Sequence, residues 1–574
     1  MTFNSKLTPL ALAVAGLGYA APSLAGEPIE FDNGAKLEWR LTGTYSMAQR
    51  VKGASPVLAA NAGGNDGDNN FAKNSLVANR LALLLETTLS KGDSGFILSA
   101  SSFYDDVYRR KNDNNAKGAL VNKPGATDEF SNEARYMQGG YSRILDAYAY
   151  TGFTLGEQAK ANVRLGKHVV SWGESLFFPG ISLAQGPADG TKTGVPGTET
   201  KDQLLPEDQI SAQIEVTPNW SLLAHYQYNW HETLALAPGA YLSSSDGVGP
   251  GGNCLGPYVG VPAIAAIPAF GLPAYAGFSG CSFGRRINDI RPKKAGQWGV
   301  GTRYRWSDET EFGLYYLNYK DRTPLPEINA FAAGSPVPAA WQTTLGATQF
   351  GNGTYQIHYF DDIKLVGGSF ATTFGIATLT GELSFKQGAP VLVNTVVDPV
   401  KGTTMPTPTR SDIMQANLAS MVHIGRTPMW DDATLALELA YVEISKIKAR
   451  KAPGVESLGP AAAFFPATDR ATFGTNGLAF GSSLTLNYPG IIENWQLDVP
   501  LSYLAQIRGR TLLGGVGGEG DQRYSVGATM TYRRNFSVGV SYLGYLGNPE
   551  VVQQKTFRPL TDRNQVSLVM KYAF

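Results

Sequence analysis

About eighteen segments of nine or more residues alternate apolar with polar or small side chains, and no apolar run beyond the amino-terminal stretch could cross a membrane as a helix. These two facts leave few folds. The segment "WSLLAHYQYNW" sets Trp220, Leu222, Ala224, Tyr226, Tyr228 and Trp230 against Ser221, His225, Gln227 and Asn229. "QISAQIEV" sets Ile210, Ala212, Ile214 and Val216 against Gln209, Ser211, Gln213 and Glu215. "RYSVGATMTY" (523–532) and "WQLDVPLSYLAQI" (495–507) repeat the pattern. A period of two gives a β-strand one greasy and one wet face. Aromatics sit at the ends of the apolar face with aliphatics or alanine between, as interfacial girdles require. Strands of this kind cross lipid only as a closed barrel, because closure satisfies every backbone group.

The connections alternate in length. Short ones are "SKGDSG" (90–95), "GEQAK" (156–160), "TPN" (217–219), "SDE" (307–309), a tight turn near Gly375, "GRTPMWDD" (425–432), "PGIIEN" (489–494) and "RRN" (533–535). Between them lie long stretches rich in Gly, Asn, Pro and Asp, at 52–74, 106–142, 173–207, 231–294, 321–362, 387–412, 447–474, 510–521 and 549–561. Short periplasmic turns alternating with long extracellular loops belong to outer-membrane barrels. The expected fold is an all-β transmembrane antiparallel barrel of eighteen strands, or sixteen if the weak segment 363–374 is not a strand.

The termini fit that reading. Residues 1–25 carry one basic residue, Lys6, an apolar stretch and the small residues Ser23 and Ala25, so they are read as a signal peptide. Residues 26–574 are then a single barrel domain whose largest loop spans about 231–294. Losing Lys6 from 48 basic residues leaves 47 against 48 acidic ones, a balance that gives no support to a nucleic-acid partner. The last strand, "VSLVMKYAF", keeps its alternation through Tyr572 to Phe574. Such an aromatic ending resembles the signal by which outer-membrane barrels are handed to the barrel-assembly machinery.

The stretches "RLGKHVVSWGES" (164–175), "GQWGVGTRYRW" with "TEFGLYYLNYKDRTP" (296–324), "GSFATTFGIATLTGELSFKQGAPV" (368–391) and "DRNQVSLVMKYAF" (562–574) together resemble the proteobacterial outer-membrane family called domain of unknown function 1302. That resemblance implies a location in the Gram-negative outer membrane, among lipid and lipopolysaccharide. It also implies cooperation with a periplasmic protein and an exporter of the resistance-nodulation-division type. It implies no catalytic residue.

The polar strand face must line the lumen, because an outward Arg or Lys near the midplane costs about 2–4 kcal/mol. By alternation the lining carries Glu215, Glu382, Glu438 and Asp498 with Arg164, Arg303, Arg305, Arg508 and Arg523; His168, His225 and His423 share the phase. Arg164, His168 and Trp172, read as one strand face running toward Glu174, are the candidate constriction, with Glu174 free to pair with a basic side chain. The mixed signs predict no strong ion preference; the alternative role for each charge is a solvated pair across strands.

Cys254 and Cys281, the only cysteines, lie in the largest loop and are read as a disulfide, with free thiols or an intermolecular bridge as alternatives. Closing that loop would remove about 3 kcal/mol of unfolded-state entropy. The enclosed "LGPYVGVPAIAAIPAFGLPAYAGFSG" is uncharged and apolar, so it is read as a plug or gate for poorly soluble compounds, with contact to lipopolysaccharide acyl chains, contact to a hydrophobic substrate, or a packed lid as alternatives. "GGVGGEGD" (514–521) leads into no helix and is no phosphate cradle, and "DGDNN" (66–70) lacks the Gly and Glu of a calcium loop. The five histidines have no zinc spacing, and Ser221 with His225 reads as neighbouring wall residues, not a hydrolytic dyad. No cofactor, metal or enzymatic activity is expected. The function expected is a channel for small hydrophobic or amphiphilic organic molecules, or else a non-conducting docking partner of a trans-envelope exporter. Oligomeric state is not legible.

Overall fold

The computed structural model describes residues 26–115, 121–156, 159–261, 278–331, 353–510 and 517–574. The signal-peptide expectation, on residues 1–25, lies outside them. Eighteen antiparallel strands form one closed barrel. They begin with β1 (Lys36–Arg50), β2 (Leu76–Lys91), β3 (Ser94–Asp105), β4 (Ser142–Leu155), β5 (Ala159–His168) and β6 (Glu207–Thr217). Next come β7 (Trp220–Gln227), β8 (Gln297–Arg305), β9 (Thr310–Tyr319), β10 (Ile363–Phe374), β11 (Ala377–Asp398) and β12 (Thr403–Ile424). The last are β13 (Asp432–Ser445), β14 (Asn476–Ile492), β15 (Trp495–Gly509), β16 (Gln522–Tyr532), β17 (Phe536–Leu546) and β18 (Gln565–Ala573). Each pairs with its sequence neighbour, and β18 returns to β1, from Thr42 opposite Ala573 to Arg50 opposite Gln565. The segment 363–374 is therefore a stave, and the larger of the two expected strand counts holds.

The outer surface follows the alternation. Trp220, Tyr304, Phe312 and Phe374 are exposed at the short-turn end, and Tyr104, Tyr226 and Trp298 at the other. Leu222, Val300, Leu314 and Val366 form the exposed belt between them. The short turns are tight enough to need left-handed backbone, supplied by Gly92 (φ +56°) and Gly375 (φ +57°).

Two sequence expectations are corrected. The stretch 387–412 is not a loop: β11 and β12 run 22 residues each and meet in a turn at 399–402, with register shifts at Gln387/Ala389 and Val396/Asp398. β12 loses its β13 partner beyond Asp412, so Pro406 and Pro408 occupy an edge where a missing N–H does no harm. Arg508 also departs from the lumen phase. An irregularity in β15 skips Ile507, and Arg508 is left exposed opposite Leu478 while Gln506 stays buried opposite Ala479.

Above the long-loop end, the connections pack on one another. The disulfide Cys254–Cys281 is formed, with the Cα atoms 5.1 Å apart. Cys254–Leu255 pairs with Gly284–Arg286 in a four-stranded sheet completed by Leu325–Asn329 and Gly353–His358. Most of the apolar segment inside the disulfide, residues 262–277, lies outside the described residues, and so does the gate expected of it. Phe71, Tyr108, Phe130 and Tyr241 form an aromatic cluster that unites the β1–β2 and β3–β4 loops with the β7–β8 loop, which also carries the disulfide.

At the closing seam, Arg50 and Arg563 are fully buried. Arg50 meets Asp68 at 3.3 Å and Asp562 at 3.2 Å, and Arg563 meets the same two carboxylates. Arg50 also donates to the Phe71 carbonyl at 2.6 Å. Removing one acid from such a set leaves two buried guanidiniums sharing a single carboxylate, with one positive charge uncompensated. We expect Asp68→Ala to cost about 3–5 kcal/mol, read as a lower urea midpoint for the heat-modifiable folded band. An unchanged midpoint would show that the cluster does not secure the seam.

Candidate channel constriction

An eighteen-stranded barrel is wide enough for an aqueous lumen unless something fills it. Here the connection from β5 to β6, residues 169–206, turns inward after His168 and crosses the interior. The strand stops because the chain at Val169–Trp172 no longer pairs with β6. Trp172 is thus not on the strand face of Arg164 and His168, as the alternation suggested. It lies in the inward loop, buried, with its ring stacked on Tyr315 at 5.7 Å and edge-on to His225 at 5.0 Å.

Two wall carboxylates hold the loop. Glu382 on β11 accepts hydrogen bonds from the backbone N–H of Glu174 at 2.9 Å and of Ile181 at 2.6 Å. Glu438 on β13 accepts three successive N–H groups, from Leu176 at 3.0 Å, Phe177, and Phe178 at 3.2 Å. A run of amides converging on one anion is a nest, and the negative charge strengthens every bond in it. The loop carbonyls are bound as well: Asn417 donates to Phe178 at 2.7 Å and Gln415 to Pro179 at 3.2 Å. Asn417 also donates to Glu438 at 2.6 Å, tying anion and amide into one network.

Shape completes the fit. A Cβ on Gly173 or Gly180 would collide with the Glu382 carboxylate, so the loop backbone can approach the wall only there as glycine. On the wall, a Cβ at Gly481 would come within 2.8 Å of the Phe177 ring, and one at Gly367 within 2.6 Å of Ile181. Phe178 packs with Val391, Ala440, Val442 and Ala479, and Ile181 with Tyr315, Leu317 and Leu365.

The loop therefore leans on the β9–β14 side and leaves space on the β4–β8 side. That space is a cavity of about 850 Å³. Its wall carries Tyr150, Lys160, Asn162, Arg164, Ser211, Gln213, Glu215 and Arg303, and Val169–Trp172 border it from the inward loop. Asp93 and Thr154, beside the short turns, also line it, so it reaches toward that end. Glu215 stands opposite Lys160 in the strand register. Arg303 lies 3.8 Å from Glu311.

The other expected lumen residues divide by position. His168 is buried outside this cavity, with Nε2 2.7 Å from Ser211 Oγ. Glu174 makes no ion pair among the described residues; its backbone carries the contact to Glu382, and burial raises its carboxyl pKa against the pull of Arg303. Arg305 is exposed at the short-turn end, where Asp498 accepts from Gln496 at 2.7 Å. Arg523 sits at the opposite end, paired with Asp521 at 3.3 Å. Glu382 and Glu438, expected as lining charges, hold the loop. His225 faces inward, but Ser221 lies in register with Arg303 and makes no hydrogen bond to it among the described residues.

Sequence reasoning passed over Phe177, Phe178, Gln415, Asn417 and Lys160. The available signal was "SLFFPG", an apolar run inside a glycine-flanked loop, which has no reason to be there unless it is buried.

The family model described as "Protein of unknown function (DUF1302)" matches residues 6–574. No curated protein matches the sequence. Among solved structures, Acinetobacter baumannii OccAB1 is similar at 10% identity and a TM-score of 0.41, covering 96% of this chain and 99% of that one. Pseudomonas aeruginosa OccK2 (OpdF), in complex with glucuronate, is 9% identical over 95% of this chain and 99% of its own, with a TM-score of 0.38. Pseudomonas aeruginosa OpdK with vanillate is 11% identical over 94% and 99%, also at 0.38. Superposition at that level says nothing of the solute.

If the two carboxylates pin the loop, Glu382→Ala with Glu438→Ala leaves five backbone amides without acceptors inside the lumen, at about 1–3 kcal/mol each. The double variant should show accelerated proteolysis at Leu176–Phe178 in folded barrels. Protection equal to the wild type would assign the loop's position to apolar packing alone.

Proposed function

We propose, from the premise that the chain belongs to the DUF1302 family, that it is an outer-membrane channel for small organic molecules bearing polar or charged groups. The observation that carries this reading is the inward loop, which crosses the lumen and leaves a polar-lined cavity of about 850 Å³ beside it. A barrel serving only as an anchor has no need of a dedicated, charge-pinned constriction beside a cavity of about 850 Å³. The lining supports amphiphilic solutes over purely apolar ones. Lys160, Arg164 and Arg303 offer donors, Asp93 and Glu215 offer acceptors, and Tyr150 and Trp172 offer ring faces. The expectation of a hydrophobic substrate rests on the apolar loop segment and remains attached to it. No group in the cavity is assigned a catalytic role.

Single-channel recording in a planar bilayer tests the proposal. We expect stable ohmic current from the wild type, larger current steps from the Glu382→Ala, Glu438→Ala variant, and a shift toward cation preference in Arg164→Glu. Silence from correctly folded wild-type barrels would overturn the channel reading. It would favour the docking alternative, in which a periplasmic partner or an exporter must engage the short turns first. Reducing Cys254–Cys281 during the recording asks whether the disulfide-bounded loop gates the passage.

A further inference from the structure

Three long loops meet at four acidic or amide side chains that the channel does not use. Asn65 and Asp66 come from the β1–β2 loop, Asn122 from the β3–β4 loop and Asp246 from the β7–β8 loop. All four are at least 95% buried. Each carboxylate spends one oxygen on a backbone amide: Asp66 Oδ2 accepts from Asn122 N at 3.2 Å, and Asp246 Oδ2 from Asp66 N at 3.2 Å. Each asparagine spends its NH₂ on a carbonyl, Asn65 on Ala59 at 2.8 Å and Asn122 on Ala62 at 2.9 Å. Those bonds fix which end of each amide is oxygen. The four remaining oxygens, Asn65 Oδ1, Asp66 Oδ1, Asn122 Oδ1 and Asp246 Oδ1, are buried and accept no hydrogen bond among the described residues.

Four buried acceptors in one hydrogen-bonded cluster, with no donor for them among the described residues, suit a positive charge. Neither aspartate has an ion pair within 4.0 Å among the described residues; Lys123, whose charge lowers the Asp66 pKa from farther off, donates to the Ala126 carbonyl. Burial raises Asp66 to about 6; it raises Asp246 strongly too, with repulsion from Asp66 adding to it. A water-sized cavity of about 10 Å³ borders Asp66 and Asn122 together with Lys123 and Glu129, but Asn65 and Asp246 do not line it.

We propose that Asp66, Asp246, Asn65 and Asn122 bind a hard divalent cation of the calcium class, which staples these three loops over the barrel mouth. Two carboxylates balance its charge, and carboxylate with amide oxygens are the donors that Ca²⁺ accepts, with water completing six to eight ligands. The set contains two aspartates and two asparagines and neither Cys nor His, which argues against a softer metal. "DGDNN" contributes only Asp66 here; Asp68 is committed to Arg50 and Arg563. The site is not a contiguous calcium loop but an assembly of loops distant in sequence.

Calorimetric titration of CaCl₂ into chelator-stripped, detergent-solubilised wild type tests this. We expect one saturable site, with a Kd of about 10⁻⁴–10⁻³ M or tighter, as for calcium sites in extracellular modules. Asp66→Asn and Asp246→Asn should each weaken it at least about tenfold, and calcium should protect loop 51–75 from protease in the wild type only. Glu38→Gln, an exposed change elsewhere, should leave binding intact. If the aspartate variants do not fold, Asn122→Ala removes one oxygen and no charge and is read in the same way. No saturable binding by the wild type, or binding indifferent to these variants, overturns the proposal. So would protease protection gained by lowering the pH without calcium, which would mean that the aspartates share a proton.

Discussion

Every backbone amide and carbonyl that this chain places in lipid must be bonded within the protein, and the β1–β18 pairing is what completes the set. Without that seam two edge strands would stand open in a medium that offers no water. Much else follows from it. Closure with eighteen strands fixes a wide lumen, and a wide lumen demands either water or filler. The filler here is chain drawn from the connection between β5 and β6.

Drawing irregular backbone into the interior raises the same problem again, since a loop has no ladder to satisfy its amides. Glu382 and Glu438 answer it. They are buried charges whose partners are not cations but rows of N–H groups, so the cost of burying each carboxylate is offset by the amides it satisfies. The seam uses the opposite arrangement, two arginines against two aspartates. In both places charge is buried only where geometry delivers a partner, and in both at least one partner comes from a loop far away in sequence. The Asp66–Asp246 cluster is the exception that motivates the cation.

The strands were legible because one face of each meets lipid and the other meets water or protein, and side-chain alternation records that directly. Ile210, Leu222 and Val526 are exposed apolar residues in the expected phase. Where an irregularity intervenes the record fails: Arg508 keeps its place in the sequence pattern while its backbone has skipped a residue. The hairpin of β11 and β12 was hidden for another reason. Its outer half projects beyond the lipid and packs on other loops, so its prolines and threonines resemble a loop in composition. Trp172 was misplaced because nothing local marks the residue at which β5 leaves the wall.

The sequence by itself determined the class of fold and the two faces of most strands, and narrowed the strand number to eighteen or sixteen. Those features depend on contact with solvent phases, lipid or water, and each residue meets its phase independently of distant residues. The tertiary structure alone decided which wall charges are free and which are spent. Whether Glu438 lines a passage or holds a loop depends on three amides more than two hundred and fifty residues away in the chain. Such pairings arise only when closure of the barrel brings opposite walls within reach of one loop.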